Sequence, residues 1–483
     1  MSPALPVLLL AAGAVFSFAA RRAFRRGEDA SAATAVGAFG AAFVSFLVSG
    51  GESVTIVAFA PGSATTLRMD GLGTFLGLVA TGLGLAVALY SFAHMRAERD
   101  RSTYSALLLL LVAGIVGIAL AGDLFNLYVF FELMAISSFG LVAFYREREE
   151  AIEAGMKYII MSATGSAVAL LGIGLLYLGA GTLSLADLRR ATVPRDLALL
   201  SVGLLVTGFG VKAAIVPMHT WLPDAHAAAP SGISTMLSGI VIQSGLLAIV
   251  RALTVFGVGP SSKLSYGLLL AFLAVLTMTV GNLIAMQQRD IKRLLAYSSI
   301  AQMGYILLGF GIGMEYGIAI AMTGAMFHIL NHALMKGGAF LAAGVLQHEF
   351  GTRDLNELRG AGRRIPAVGL TFAVFALGLV GVPPTAGFLS KLFIATGSAQ
   401  AGGTLGVFFV LALITNSLLS LAYYVPALTG LLAKEGAVSG HRASRVTLGV
   451  LVVIAGLVLL FGVWPALALI FVESAVRTLL GGP

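Results

Sequence analysis

The segment YSALLLLLVAGIVGIALA, residues 104–121, runs for eighteen residues without a charged side chain. A helix needs about 20 predominantly apolar residues to cross the hydrocarbon core of a bilayer, so this segment predicts a transmembrane helix. Comparable stretches follow one another along the chain, in which 58% of the 483 residues are hydrophobic and only 11% are charged. Soluble domains carry about 25% charged residues. We therefore expect an all-α integral membrane protein in which residues 1–483 form one polytopic domain.

The apolar pattern predicts about fourteen transmembrane helices. Their approximate boundaries are 3–20, 31–49, 72–95, 104–121, 124–144, 155–180, 197–217, 231–255, 264–286, 295–313, 316–347, 366–397, 404–432 and 446–472. The first span precedes Arg21 and Arg22, which is the reverse of the order in a secretory signal, so we expect no cleavage. Residues 54–59 alternate in polarity and predict a short hairpin strand, and residues 183–188 predict an interfacial segment.

Basic residues in the connections predict the orientation, because cytoplasmic loops carry an excess of lysine and arginine. With the amino terminus outside, 20 of the 30 lysines and arginines fall in cytoplasmic connections and seven fall outside. The other three, Lys212, Lys336 and Lys391, lie inside spans. We expect both termini outside the cytoplasm. The net charge of +8 is then explained by the basic residues of the cytoplasmic connections, and we expect no nucleic-acid partner.

The composition and motifs also exclude several kinds of functional site. The chain has no cysteine, which excludes disulfides, thiolate metal sites and iron–sulfur ligation. It has no Walker-type phosphate loop, which argues against nucleotide-driven pumping. We therefore expect no cofactor and no redox centre in this chain.

Four ionisable side chains fall within predicted spans, namely Glu132, Lys212, Lys336 and Lys391. An ionisable group near the bilayer centre is costly, so it normally faces the bundle interior and serves function. Burial disfavours the charged form of lysine, which lets a buried lysine release and regain a proton near neutral pH. The four groups therefore predict a proton relay. Structural alternatives are a neutralising Glu132–Lys212 pair that fixes helix packing and a Lys336 side chain that extends to the headgroups.

His328, His332 and Lys336 recur at every fourth residue and so line one face of a helix over two turns. Histidine suits a face that takes up and releases protons. Two histidines at this spacing could also bind a metal, but the further ligands of such a site are not evident, so we expect no metal. His219 and His226 lie at a membrane boundary, where a structural role is equally open.

Proline and glycine interrupt two predicted spans, at Pro217 and at Pro383-Pro384. Irregular backbone at membrane depth is tolerated only inside protein or around a wet cavity. Corresponding breaks in the two halves of a chain indicate an internal repeat and a conduction site. Lys212 and Lys391, one near each break, are 179 residues apart. We expect a first repeat at about residues 104–255 and a second at about 264–432.

Five segments together resemble the antiporter-like membrane subunits shared by respiratory complex I, membrane-bound hydrogenases and Mrp-type sodium/proton antiporters. They are DLFNLYVFFEL (123–133), residues 212–230 with PMHTWLPDAHAAAP, RDIKRLLAYSSIAQMG (289–304), residues 328–336 and GVPPTAGFLSK (381–391). The resemblance implies fourteen helices in two inverted five-helix repeats with two broken helices. It also implies Glu132 paired with Lys212, then Lys336 or its histidines in the middle, then Lys391.

One position departs from the family pattern. Gln243 stands in the eighth span where relatives usually have a lysine, and glutamine cannot hold a proton at physiological pH. Either protons pass through water beside His328 and His332, with Ser238 and Gln243 holding that water, or the subunit conducts poorly.

The sequence therefore predicts a subunit that translocates protons, or exchanges sodium ions for protons, within a multisubunit complex of a prokaryotic cell membrane. Its partners would be other membrane subunits and peripheral redox subunits that supply the energy. The alternatives are a cation/proton antiporter or bicarbonate-uptake complex without redox coupling, a transporter of an organic solute, and a non-conducting structural subunit.

Overall fold

Long apolar helices build this chain, because in lipid every backbone donor and acceptor must be paired within the protein. The computed structural model describes residues 2–24, 26–48, 53–58, 64–96, 98, 100–260, 262–434 and 443–481. Within those ranges, twelve helices are long and apolar enough to cross a membrane. The first six are α1 (Ala4–Ala23), α2 (Gly27–Val48), α3 (Gly71–His94), α4 (Arg101–Leu120), α5 (Leu124–Val142) and α6 (Glu149–Ala180).

The middle of the chain holds shorter elements, because glycine and proline interrupt it. These are α7 (Leu185–Leu188), α8 (Arg195–Lys212), α9 (Trp221–Ala228), α10 (Ser231–Met236) and α11 (Ile242–Leu253). A π-helical turn at Leu237–Val241 joins α10 to α11, so that Ser231–Phe256 forms one continuous span. The short α7 coincides with the predicted interfacial segment.

The remaining helices complete the bundle. They are α12 (Gly267–Ala285), α13 (Ile291–Tyr316), α14 (Ala319–Phe350), α15 (Ala361–Arg364), α16 (Pro366–Val380), α17 (Ala386–Gln400), α18 (Gly403–Leu431), α19 (Arg445–Val463) and α20 (Ala466–Leu479). The span Ser231–Phe256, α13 and α14 lie at the centre, enclosed by the others, whereas α18 and α19 present most of their surface outward.

Two interrupted spans, added to the twelve continuous helices, give the predicted fourteen transmembrane spans. The first comprises α8 and α9, with the break between Lys212 and Trp221, and the second comprises α16 and α17, with the break between Val380 and Ala386. Pro217 and Pro384 occupy these breaks, each after a cis peptide bond. The predicted broken helices are therefore confirmed, as is the helical membrane fold.

The two halves share local features at a spacing of 167 residues. Asp123 caps α5 by accepting a hydrogen bond from the Asn126 amide, and Asp290 caps α13 in the same way. Pro217 and Pro384 stand at the same spacing. Lys212 ends the helix before its break, whereas Lys391 follows its break by more than a turn. The two lysines, 179 residues apart, therefore lie on opposite sides of their breaks, and the repeat itself remains a prediction.

Two further predictions concern the edges of the bundle. The hairpin is confirmed: β1 (Ser53–Ala58) pairs antiparallel with β2 (Ala64–Arg68), while Phe59 of the predicted strand lies outside the described residues. The predicted span 446–472 is wrong at its end, because α19 stops at Val463 and α20 begins after Pro465. Proline cannot donate the helical hydrogen bond, and the apolar composition on both sides conceals this break. Helix α20 packs against α3.

Candidate functional site

Lys212 lies in a cage of aromatic rings at the end of α8. Its side chain is buried, and its Nζ donates a hydrogen bond to the Tyr158 hydroxyl at 2.9 Å. The same hydroxyl lies 2.9 Å from Ser138 Oγ. The Nζ is also 4.9 Å from the centre of the Phe139 ring and 5.8 Å from that of Phe131. Ring faces attract cations, so the cage stabilises the ammonium group without a carboxylate.

Tyr158 is held in this position by the element that follows the first break. The Trp221 ring stacks on the Tyr158 ring at 4.0 Å with an angle of 4°. Trp221 also donates from its indole nitrogen to the Val211 carbonyl at 2.7 Å. Helices α6, α8 and α9 therefore meet around Lys212. Sequence reasoning missed Tyr158, because one tyrosine in a membrane span carries no signal that separates it from the others.

Glu132 and Lys212, predicted to pair directly or through one water, form no direct ion pair. The ammonium group bonds to Tyr158 instead, and among the described residues no ion pair within 4.0 Å joins the two charges. The Glu132 carboxylate still acts electrostatically on Lys212. Its Oε1 is buried and has no hydrogen-bond partner in the same described ranges. Sequence reasoning did not foresee the tyrosine hydroxyl at Lys212, and a contact between the two charges through one water stays a prediction.

His332 and Gln243 meet at the centre of the molecule, and both are fully buried. Gln243 Nε2 donates to the Ile329 carbonyl at 3.1 Å and lies 2.7 Å from His332 Nδ1. The carbonyl can only accept, which fixes the amide orientation. His332 Nδ1 is then the acceptor, so the neutral ring carries its proton on Nε2. That nitrogen and Gln243 Oε1 have no partner in the described part of the chain.

His328 connects the centre to Lys391. Its Nε2 lies 2.8 Å from Gln302 Oε1, and its Nδ1 lies 2.8 Å from Ser390 Oγ. Gln302 Nε2 in turn donates to the Leu379 carbonyl at 3.0 Å. Lys391 Nζ donates to that same carbonyl at 2.9 Å. A hydrogen-bonded path therefore runs from the imidazole to the ammonium group.

Lys391 folds back over the second break. Besides the Leu379 carbonyl, its Nζ donates to the Val380 carbonyl at 3.0 Å and lies 4.2 Å from the centre of the Tyr305 ring. These carbonyls end α16, where unpaired backbone oxygens and the helix dipole favour a cation. The break thus supplies ligands for the ammonium group at membrane depth.

Lys336 is fully buried, so it does not extend to the headgroups. Its Nζ donates to the Leu295 carbonyl at 2.7 Å and to the Tyr424 hydroxyl at 3.1 Å. Tyr424 in turn bonds to Ser298. Lys336 thus shares a helix with both histidines but contacts a different set of neighbours.

Comparison with known proteins places this arrangement in a family. Residues 121–417 match the family described as the transmembrane part of NADH:quinone oxidoreductase and Mrp antiporters. The chain belongs to this family. One membrane component of the NADH-quinone oxidoreductase of Desulforudis audaxviator is 33% identical over 460 residues, covering 92% of this chain and 90% of the relative. One component of the Na⁺/H⁺ antiporter of Bacillus subtilis is 32% identical over 418 residues, covering 86% and 83%.

Solved structures agree with this assignment. A chain of the membrane-bound sulfane sulfur reductase, an archaeal respiratory membrane complex, superposes with a TM-score of 0.89. It is 29% identical, and the match covers 99% of this chain and 97% of that one. A chain of Thermus thermophilus respiratory complex I gives a TM-score of 0.84 at 25% identity, covering 99% and 100%. The protein is therefore an antiporter-like membrane subunit of a multisubunit complex.

The supporting residues of this antiporter-like subunit lie in different surroundings. Ser238 Oγ is 2.7 Å from Ser299 Oγ, so it is paired across to α13. His219 is half-buried next to Pro217. His226 is fully buried against the Phe340 ring at 4.6 Å, and neither of its ring nitrogens has a partner in the ranges that the structure covers. Among those residues, no three histidine, aspartate or glutamate side chains converge as a metal site would require.

Proposed function

We propose that this subunit translocates protons between Glu132 and Lys391, through Lys212, Lys336, His332 and His328. The observation that carries the proposal is the Leu379 carbonyl, which accepts hydrogen bonds from both Gln302 and Lys391 and so joins His328 and Lys391 in one buried cluster. The carbonyl has no proton to donate, so a proton would pass between these two residues through water beside the cluster. His332 continues that path inward, with its ring centre 6.4 Å from that of His328. Both histidines are fully buried, and neutral imidazole can accept a proton at one nitrogen and release it from the other.

Unpaired polar atoms along this path are evidence that water molecules bind there. Glu132 Oε1, Gln243 Oε1, Asn331 Oδ1 and His332 Nε2 are buried and have no hydrogen-bond partner among the residues described. Buried polar groups in proteins are nearly always hydrogen-bonded to protein or to water. Ordered water beside these atoms would link Gln243 and His332 to the Glu132–Lys212 region. A glutamine at position 243 is then compatible with conduction.

Protons are favoured over sodium ions by the chemistry of the path. Its titratable groups are mostly amines and imidazoles, and lysine has donors but no acceptor. Sodium ions need oxygen ligands, and the oxygens at Lys391 are already occupied by its ammonium group. The Bacillus relative is named for sodium/proton exchange. If this chain served such an exchange, a partner subunit would supply the sodium site.

The energy for translocation would come from other subunits. We infer that peripheral redox subunits drive the movement, since relatives are named as parts of respiratory oxidoreductases. The exposed side chains of helix α5 indicate that another protein contacts the helix near Glu132. The carboxylate is partly exposed, and Val129 and Ile136 on the same helical face are 45% and 63% exposed. A charge at that position would be costly against lipid, so we place a partner membrane subunit there.

We further propose that both termini lie outside the cytoplasm of a prokaryotic cell. Ion pairs support a single basic face: Asp224 binds Lys157 and Arg293, each at 2.9 Å, and Arg353 binds Asp290 at 3.1 Å. The excess of arginine and lysine supports a cytoplasmic orientation of this face, called the arginine-rich face below. We also propose that residues 104–255 and 264–432 are the two inverted repeats.

Lys391→Ala in the assembled complex tests the proposed function. We expect proton translocation to be abolished in proteoliposomes while subunit composition and partner redox activity persist. Lys434→Ala is the matched control, because Lys434 is exposed on a connection. Normal translocation in Lys391→Ala would remove this residue from the path and favour a non-conducting structural subunit.

A further inference from the structure

A second group of titratable side chains lies outside the proposed path, at the arginine-rich face. His94 ends α3, Lys292 opens α13, His226 lies on α9, and His348 and Glu349 end α14. The sequence places Lys292 in a cytoplasmic connection, yet it is only 1% exposed. Four elements of the fold therefore bring ionisable groups to one place.

The outer part of this group reaches water. The His348 side chain is 59% exposed, and its Nδ1 lies 3.3 Å from Glu349 Oε1. Glu349 itself is only 6% exposed, and its Oε2 is buried with no hydrogen-bond partner among the described residues. The His348 ring centre lies 4.8 Å from that of His94. On its other side, the His94 ring lies 4.6 Å from Tyr90.

The inner part leads to Lys336. Lys292 Nζ donates to the Ala229 carbonyl at 2.6 Å, three residues from His226. Tyr90 beside His94, Ile291 next to Lys292 and Phe340 against His226 all belong to one cluster of packed side chains. His226 stacks on Phe340, which is one helical turn from Lys336. Met335, next to Lys336, belongs to the same cluster.

A purely structural role explains these side chains poorly. A structural histidine in a core is normally hydrogen-bonded, and both ring nitrogens of His226 are unpaired within the described ranges. The Lys292 ammonium group has three donors, and one of them bonds to the Ala229 carbonyl. The other charges near Lys292 are Asp290, Arg353 and Arg148. Of these, Asp290 and Arg353 already bind each other.

We propose that Glu349, His348, His94, Lys292 and His226 form a proton-uptake port from the arginine-rich face to Lys336. A proton from the aqueous phase at this face binds to His348 or Glu349 and then passes to His94. The Lys292 amine accepts it and its ammonium form releases it. His226 accepts at one ring nitrogen and releases from the other toward Lys336. Each step moves one proton and changes no other bond. The port rests on the proposed function, because it loads the same path from a second point.

The port is tested in the assembled complex reconstituted in proteoliposomes, with three variants that preserve shape. Lys292→Met removes the amine, His226→Phe keeps the stacking on Phe340, and Glu349→Gln removes the carboxylate. We expect proton translocation to fall by about a hundredfold in each, the lower end of the effect usual for a positioned proton carrier. The loss should be largest at high pH, where protons are scarce. Glu147→Gln is the matched control, an exposed acid on the same face.

Chemical rescue separates proton transfer from structure. His94→Ala opens a space near the surface, and imidazole added on the arginine-rich side should restore translocation in this variant. If imidazole has no effect while the complex is intact, or if Lys292→Met and His226→Phe conduct normally, the port is wrong. Lys391→Ala, measured alongside, distinguishes the two proposals. Normal conduction in the port variants with loss in Lys391→Ala overturns the port alone, whereas normal conduction in all of them overturns the proposed function.

Discussion

The hydroxyl of Tyr158 lies 2.9 Å from Lys212 Nζ and holds the ammonium group away from its expected carboxylate partner, Glu132. Ser138 fixes that hydroxyl from the other side. Lys212 is thus bonded to a phenol and not to a carboxylate. We expect proton movement along the proposed path to depend on this bond.

Tyr158→Phe removes the hydroxyl and keeps the ring. A hydrogen bond to a charged group contributes about 1.5–3 kcal/mol, so we expect Lys212 to turn to Glu132 and translocation to fall by about tenfold. Proton flux into proteoliposomes measures this. Tyr177→Phe is the control, because Tyr177 is 55% exposed on the same helix. Equal flux in both variants would remove Tyr158 from any control of Lys212.

Lys391→Arg distinguishes a proton carrier from a fixed charge. Arginine keeps the positive charge at the end of α16 but does not deprotonate in proteins. If Lys391 carries protons, we expect Lys391→Arg to lose translocation as completely as Lys391→Ala, while its thermal stability stays nearer that of the native complex. Conduction by the arginine variant would instead assign Lys391 to anchoring the Leu379 and Val380 carbonyls.

The centre of the path is tested by His332→Ala, Lys336→Ala and Gln243→Lys. Because Gln243 cannot carry a proton, we expect His332 and Lys336 to be essential, with translocation reduced by about a hundredfold in each alanine variant. Gln243→Lys should conduct at least as well as the native chain. Normal conduction in both alanine variants would contradict a central relay. Conduction by Gln243→Lys alone would make the native chain a structural or regulatory subunit.

The contact between α19 and the second break is tested by Gly462→Ala. A Cβ at this position would overlap the Pro384 carbonyl oxygen, so α19 must move away from the break. We expect a lower melting temperature of the purified complex and weaker translocation. Gly456→Ala on the same helix is the control, since no atom lies within 4 Å of its added Cβ. Equal behaviour of the two variants would show that the break tolerates the displacement.

Charged groups are the part of the site that the sequence can predict, because Lys212, Lys336 and Lys391 stand out against an apolar background. Tyr158 and Gln302 do not stand out, since uncharged polar residues are common in membrane helices. Spacing along the chain also does not identify which of several acceptors a lysine takes, so the Tyr158 hydroxyl at Lys212 could not be predicted. Position along the chain likewise assigns Lys292 to a connection, although tertiary packing buries it.

Helix α14 is enclosed largely by helices that are synthesised after it. Helices α16, α17 and α19 pack directly against it, and they begin at residues 366, 386 and 445. A ribosome-bound chain that ends before residue 366 would hold His328, His332 and Lys336 in a helix whose later neighbours are still missing. During synthesis, α14 is therefore incompletely packed from the time it is inserted into the membrane until α19 has been inserted. A premature stop in that interval leaves a polar helix facing lipid, a substrate suited to membrane quality-control proteases.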